Sequence, residues 1–492
     1  MFWGIGPRKM IFNHRGVGIG NGMRMKTIIG KYLIFILMAG VVFACGEPPA
    51  KRGEARINVL LISIDSLRPD HLGCYGYERD TSPVMDSLAR DGVLFNNTIS
   101  TTSWTLPSHI SLFTSMDIMV HGVEGDGLSL HKDIGTLAQV LKEDGYRTVA
   151  FCSSPYMNPA FGFDRGFDLY HNIDLDNPEF ENTVLPPEEQ RDAVHADITS
   201  PRITELASEW LEKNEKDTFF LFLHMWDVHY DYIPPDPYDR KFDPDYTGDI
   251  DGRDFINNPA INPEMDKRDL EHIIALYDGE IAWVDHHLGL IVAKLKELGV
   301  FERTLIVITA DHGDEFFEHG GKGHRNTLYD EVVKIPLIVH GPGVLDPGMK
   351  VVDQAGIIDI APTILNLCGL KIPSWMQGRS LLPGSGDLVD QGDVAVLLEL
   401  GMELKALRTN PYKLIFNFKH LQTIIFDLAR GPDETYQHLV TSPDEWHEAN
   451  LKFYSRLDSD QNLAEEYRGG ETGSPVHLSE EEAARLKSLG YL

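Results

Sequence analysis

The sequence predicts an α/β protein: a mostly parallel sheet covered by helices on both faces, followed by a smaller antiparallel part. Three observations carry this. From residue 57 onward, short β-rich apolar runs alternate with longer segments of helical period. The runs themselves are apolar almost throughout, as strands buried on both faces should be. After Pro383 the texture changes to closely spaced strand-like pieces, which suits an antiparallel arrangement.

In chain order, residues 57–64 (INVLLISI) predict the first buried strand. Thr81, Ser82 and Pro83 then supply cap residues and a first-turn proline for a helix ending near Arg90. A strand follows over 93–99, a helix over 136–144 and a strand over 148–152. Residues 203–213 are helical by period, and 218–225 (TFFLFLHM) form another buried strand. The stretch 171–268 is otherwise rich in Pro, Asp and Asn, and predicts long surface excursions over the sheet. A long helix runs from about 269 to 298, then strands at 304–309 and 335–340. Residues 394–400, 412–418 and 423–428 give the antiparallel pieces. Ser479 with Glu482 three residues later caps a final helix. No internal repeat is visible.

The composition excludes several classes. With 75 Asp+Glu against 44 Lys+Arg, a net of −31, the chain lacks the basic footprint of a nucleic-acid binder. Hydrophobic residues at 42 % supply a sizeable core. Four cysteines in 492 residues exclude a disulfide scaffold.

The first 44 residues stand apart. They hold six basic residues and no acid, and without them 38 basic residues face 75 acidic ones, a net of −37. Residues 32–44 form a 13-residue apolar run, short of the ~20 a spanning helix needs and suited to a signal-peptide core. The run ends Val42-Phe43-Ala44-Cys45, which resembles a bacterial lipobox, with Cys45 as the lipidated residue. Cleavage one or two residues away is the alternative, and Met23 and Met25 offer later starts. The expected organisation is a leader over 1–44, a tether over 45–56, a catalytic domain over 57–385, a C-terminal α+β subdomain over 386–470 and a closing helix over 471–492.

Three strands deliver polar residues at their carboxyl ends, where ligands sit in such sheets. These are Asp65; then Asp227 and His229; then Asp311, His312 and Asp314. An Asp after a buried strand is, alone, more often a turn or helix cap. Together they suit a divalent metal, which needs carboxylate oxygens and an imidazole on one rim. Thr105 stands at or just before the start of a helix marked by Pro107, where unpaired N–H groups favour an oxyanion. A hydroxyl there could attack phosphorus or sulfur, or simply cap the helix.

The ordered series of motifs resembles the sulfatase family of the alkaline phosphatase superfamily. It comprises Asp65-x-x-Arg68-x-Asp70 with Gly73-Cys74-Tyr75-Gly76-Tyr77, Thr105-x-Pro107-Ser108-His109, His121-Gly122-Val123, Asp227-Val228-His229 and Tyr277-Asp278-Gly279-Glu280-Ile281. It continues through Thr309-Ala310-Asp311-His312-Gly313-Asp314, Thr327-Leu328-Tyr329-Asp330-Glu331 with Ile335-Pro336-Leu337, and Asp359-Ile360-Ala361-Pro362-Thr363. Phe426-Asp427-Leu428 and Gly431-Pro432-Asp433-Glu434 extend it. The resemblance implies a large mixed sheet between helices and a smaller four-stranded antiparallel sheet with a helix. It implies Asp65, Asp311 and His312 as metal ligands with the oxygen of Thr105, Thr105 as nucleophile and His229 at the transferred group. A cationic substrate contact falls in Lys322-Gly323-His324-Arg325, with His324 ahead of Lys322 and then Arg325. His109 joins the substrate-binding set.

The departures bear on chemistry. Thr105 holds the place of the Cys or Ser that sulfatases oxidise to formylglycine, and His109 stands where the conversion signature has Arg. A threonine alcohol would give a ketone, so no formylglycine is expected. Ser66 replaces the second Asp of the usual pair, and Cys152-Ser153-Ser154-Pro155 lacks the Lys and His of the corresponding arylsulfatase stretch. Threonine nucleophiles in this superfamily act on phosphate esters. The expectation is therefore a metal-dependent hydrolase of sulfuric or phosphoric/phosphonic esters, carrying one divalent ion. Calcium is what the family suggests; the imidazole and the missing Asp favour manganese or zinc. Alternatives are a phospho-group transferase of the cell envelope and a non-catalytic, surface-anchored binding protein. The lipobox implies export, a lipid anchor in a bacterial membrane and a periplasmic location.

Overall fold

The computed structural model describes residues 56–173, 199–341, 347–381, 396–400, 404–409, 411–431, 434, 443–469 and 473–479. The chain divides into two units, Met1–Glu54 and Ala55–Leu492, and every strand and helix of the described residues belongs to the second. The leader, Cys45, nearly all of the tether and the closing helix after Ser479 lie outside the described residues.

A nine-stranded mixed sheet forms the core. Its strands are β1 (Asn58–Ile64), β2 (Val93–Ile99), β3 (Arg147–Cys152), β4 (Leu169–Asn172), β5 (Phe219–Met225), β6 (Thr304–Ala310), β7 (Lys334–His340), β8 (Met349–Val351) and β9 (Ala355–Gly356). The order is β8-β2-β7-β6-β1-β5-β3-β4, with β9 also paired to β2. From β6 through β4 the strands are parallel; β7 runs antiparallel to both β6 and β2. All seven residues of β1, β5 and β6 are buried, which is why these segments read as apolar almost throughout. Each such Leu, Ile or Val contributes roughly 1.5–3 kcal/mol by leaving water.

The helices are α1 (Pro83–Arg90), α2 (Thr105–Thr114), α3 (Leu137–Glu143), α4 (Thr199–Asn214), α5 (Lys267–Glu297), α6 (Ile360–Leu367) and α7 (Pro443–Arg468). Six of them fall into two packed groups, α1 and α4 against α5, and α3 and α6 against α2, while α7 packs on the short helix Ile118–His121. The start of α1 corrects one expectation. Ser82 is its N-cap residue, yet its side chain makes no cap bond. The free N–H groups of Val84 and Met85 donate instead to Asp285 Oδ2 and Oδ1, each at 2.9 Å, from α5. A long-range carboxylate thus does the work expected of a local hydroxyl.

The C-terminal part is a four-stranded antiparallel meander of β10 (Val396–Leu400), β11 (Leu404–Arg408), β12 (Tyr412–Asn417) and β13 (Gln422–Asp427). Its strands alternate by two: Ala406, Ile415 and Phe426 pack with Val332 and Val333, while Leu407, Leu414 and Phe416 pack with Phe453 of α7. Among the described residues Cys74, Cys152 and Cys368 form no disulfide.

Candidate active site

The parallel strands set the site. Ile64 of β1 lies opposite Met225 of β5 and Ala310 of β6, so Asp65, Trp226 and Asp311 emerge on one rim. Ser66 then takes a left-handed turn (φ 57°) that carries the chain off the sheet. Tyr277 of α5 locks this turn: its hydroxyl donates to Ser66 O and accepts from Arg68 N, both at 2.9 Å.

α2 is held against the same rim by the small polar residues of its sequence. Ser108 Oγ donates to Asp311 O at 2.8 Å, and His109 Nε2 lies 2.9 Å from Ser63 Oγ. Thr105 is the first helical residue, after a Trp104 N-cap that offers no side-chain bond. Thr105 Oγ1 is 3.4 Å from Asp65 Oδ2 and 3.3 Å from His312 Nε2. His312 Nδ1 donates to Gly313 O at 3.0 Å, so Nε2 presents its lone pair to Thr105 and to Asp311 Oδ2, 3.3 Å away.

The electrostatics of this cluster call for a cation. Asp65, Asp311 and His312 are fully buried, and their ligand atoms lie within 4.8 Å of one another. Burial pushes the Asp65 carboxyl up to about 6, against the pull of His312. Burial and the neighbouring Asp65 also raise Asp311. Asp311 Oδ2 is buried without a hydrogen-bond partner. Two crowded carboxylates, an orphaned oxygen and an imidazole lone pair fit a divalent ion, and Asp65, Asp311 and His312 are the residues that could hold it.

His224 is a polar residue that sequence reasoning missed. It sits inside the apolar strand β5, donates from Nδ1 to Ser153 O, and brings Nε2 to 3.5 Å from Asp65 Oδ2. Its signal was available: an imidazole in an otherwise apolar buried strand must find a polar partner.

Other predicted residues divide. His229 is buried at the rim, with Nδ1 donating to Tyr230 O at 2.5 Å and its ring 5.0 Å from that of His324. His324 also reaches the cluster, its ring 4.2 Å from that of His312. Arg325 lies at 4.1 Å over Trp104, the residue before Thr105, and bonds to Tyr156 Oη and Asp126 Oδ2 at 2.8 and 2.6 Å. Lys322 does not join them: its Nζ donates to the backbone carbonyls of Ile261 and Asn258, at 2.6 and 3.3 Å, pinning that loop. His109 is also placed differently from expectation. It is fully buried, with Nε2 at Ser63 and Nδ1 donating to Thr105 O at 3.0 Å, so both nitrogens are engaged behind the site. Asp227 follows the ordinary cap pattern, accepting from Ser200 Oγ at 2.6 Å and Trp283 Nε1 at 3.2 Å near the start of α4.

The fold and its polar rim place the chain in the alkaline phosphatase superfamily. The sulfatase family model matches residues 57–370, and the chain belongs to that family. It is 25 % identical over 333 residues to an ulvan-active sulfatase of Formosa agariphila, covering 66 % of this chain and 64 % of that protein. It is 26 % identical over 478 residues to the multifunctional alkaline phosphatase superfamily protein PehA of Trinickia caryophylli, covering 79 % and 92 % respectively. A phosphonate monoester hydrolase from Silicibacter pomeroyi shares the fold at a TM-score of 0.64 and 23 % identity, over 83 % of this chain and 96 % of that one.

Proposed function

We propose that the chain cleaves a sulfuric or phosphoric/phosphonic ester in two steps through Thr105. The observation that carries this is the Thr105 hydroxyl at the first turn of α2, within 3.4 Å of Asp65 and 3.3 Å of His312. In the first step Thr105 Oγ1 bonds to the phosphorus or sulfur while the leaving-group oxygen departs. Asp65 Oδ2, to which the hydroxyl donates, takes its proton. The free N–H groups of α2 face the charge gathering on the transferred oxygens. The imidazoles of His229 and His324 would hydrogen-bond the departing oxygen. In the second step water displaces Thr105 from the covalent ester, Asp65 returns its proton to Thr105 Oγ1, and the water's spare proton goes to the departed alkoxide as inorganic phosphate or sulfate, or a phosphonate, is released.

A divalent cation held by Asp65, Asp311 and His312 would supply Lewis-acid stabilisation of that oxygen charge. The imidazole donor and Ser66 in place of a second Asp favour manganese or zinc over calcium. Relatives named as sulfatases support sulfate esters; the threonine in place of an oxidisable Cys or Ser supports phosphoryl chemistry, which we place first. We further propose that the chain is exported and lipid-anchored through Cys45, on the strength of residues 23–45.

The test is turnover of the purified chain on aryl sulfate, phosphate mono- and diesters and phosphonate esters, with manganese, zinc or calcium. Thr105→Ala should lose at least ~10³-fold on whichever ester is cleaved, about 4 kcal/mol of transition-state stabilisation. Turnover by Thr105→Ala near that of the unaltered chain would remove the covalent mechanism.

A further inference from the structure

We propose that Asp314 and Tyr232 are positioning residues that hold His324 in one tautomer, with Nδ1 protonated and Nε2 turned to the ester at Thr105. The inference rests on the Thr105 reading and assigns a role to two residues outside its ligand set.

The backbone is bent to deliver this imidazole. Residues Glu315–Phe316 pair with Lys322–Gly323 in a short hairpin directly after the Asp311–Asp314 rim. The two residues flanking His324 both adopt left-handed conformations, Gly323 at φ 72° and Arg325 at φ 70°. That conformation is costly for arginine, and such strain persists only where surroundings impose it. At Gly323 a side chain would also meet Ile256 Cδ1 at 2.6 Å, so that exposed isoleucine would have to swing aside. The result is a His324 side chain only 3 % exposed, at the end of a loop whose His319 and Lys322 remain partly exposed.

The hydrogen bonds then fix its tautomer. Asp314 Oδ1 is 2.6 Å from His324 Nδ1, and Tyr232 Oη donates to Asp314 Oδ2 at 2.6 Å. Asp314 and Tyr232 are fully buried. With one oxygen committed to the tyrosine, the other accepts from Nδ1–H. The Arg68 guanidinium, donating to Asp314 O at 2.9 Å, ties the same residue to the loop after β1. Nε2 has no protein partner among the described residues. Its ring packs between His312, which touches Thr105, and His229. An imidazole whose far nitrogen is fixed by a buried carboxylate can offer its near nitrogen without first reorienting. A carboxamide at 314 could donate to Nδ1 instead, which would place the proton on the wrong nitrogen.

The test is a double-mutant cycle on the full chain with whichever ester it turns over, combining Asp314→Asn with His324→Ala and including Tyr232→Phe and Thr105→Ala. Asp314→Asn should lower kcat by about 10²-fold with KM changed less than about threefold, as expected for a lost acid–base or orienting contact. In the His324→Ala background the same substitution should cost under about threefold, because Asp314 acts through His324. Tyr232→Phe should show the same kcat-selective loss at about 3–10-fold, which keeps the proposal testable if Asp314→Asn folds poorly. Bound metal per chain should be unchanged in all of them. Additive losses in the cycle would overturn the proposal, as would Asp314→Asn releasing a metal equivalent, which would make Asp314 a ligand. Full activity in Asp314→Asn and Tyr232→Phe would also overturn it. If Thr105→Ala stays active, the Thr105 reading itself fails, an outcome separate from these.

Discussion

Asp65→Asn should stabilise the metal-free chain while abolishing its metal affinity. Asp65 is fully buried, and burial is the main reason its carboxyl moves from 3.8 to about 6. That displacement disfavours the ionised form by about 3 kcal/mol. The folded pKa is raised, so the folded metal-free chain keeps a proton that the unfolded chain releases over this range. The cost of the charge is therefore negligible below 3.8, about 1.5 kcal/mol at pH 5, and about 3 kcal/mol above pH 7. Asparagine keeps the shape and cannot ionise, so the stability gap between the two metal-free chains should open by those amounts. The assay is urea unfolding of chelator-treated protein at pH 5 and pH 8, with free energies from linear extrapolation. Added metal should reverse the order, since binding at a thousandfold excess over Kd stabilises the unaltered chain by about 4.1 kcal/mol. A metal-free Asn variant less stable at pH 8, or a gap that does not change with pH, would refute the view that the site stores electrostatic repulsion for a cation to relieve.

Three further outcomes are expected. Lys413 is fully buried between Asp330 Oδ1 at 2.8 Å and Glu434 Oε1 at 2.7 Å, so Lys413→Met should cost about 3–5 kcal/mol in urea unfolding, with Glu434→Gln in the same chain returning part of it. Against its burial, Arg408 and Lys413 hold the Asp330 carboxyl far below its usual 3.8, so this contribution is complete above that pH and fades below it; the Lys413→Met deficit should narrow in acid. Thr105→Cys should remain an unmodified cysteine by mass spectrometry, since His109 occupies the arginine place of the conversion signature; an aldehyde at 105 would contradict this. Cys45→Ala should leave the membrane fraction or remain uncleaved, while the unaltered chain resists a high-salt wash; a mature N-terminus away from residue 45 would refute the lipid anchor.

Six of the nine strands of the large sheet, β1, β2, β3, β5, β6 and β7, were legible because a strand buried on both faces leaves little polar alternation to confuse; the short β4, β8 and β9 were not. β11 was not, because Lys405 and Arg408 look like solvent residues; Arg408 in fact bonds the buried Asp330 through Nε at 3.0 Å and Nη2 at 2.7 Å. α7 was missed for a related reason: along Pro443–Arg468 charged residues fall on most of the helix surface, and Phe453 carries its packing onto the sheet. In the site, strand ends exposed Asp65, Asp311 and His312, and a helix start exposed Thr105. Lys322 and His109 were misplaced because spacing reports which residues stand near a site, and it cannot report that a backbone carbonyl or a buried serine already holds the polar atom.

The motifs that made the chain recognisable act mainly as supports, which explains why they are spread over the sequence. Asp278 of α5 bonds His71 and Tyr77 at 2.7 Å and Arg79 at 2.6 Å, fixing the loop that follows Asp65. Its neighbours Tyr277 and Glu280 hold Ser66 and Ile233 N at 2.9 Å, and Gly279 leaves room for Tyr238 O, which a side chain would meet at 2.6 Å. One helical turn of α5 therefore braces the loop after β1 and the segment after β5 at once. Arg68 adds the third tie, from that first loop to Asp314 O and to Glu318 beyond β6. A rim assembled from three strands far apart in sequence keeps its side chains in place only if the loops leaving those strands are cross-braced. Arg68, Tyr277, Asp278 and Glu280 are buried, so each must be matched to its partner or cost stability. That requirement accounts for the residue types at Arg68, Tyr277, Asp278 and Glu280, none of which is assigned to the ester.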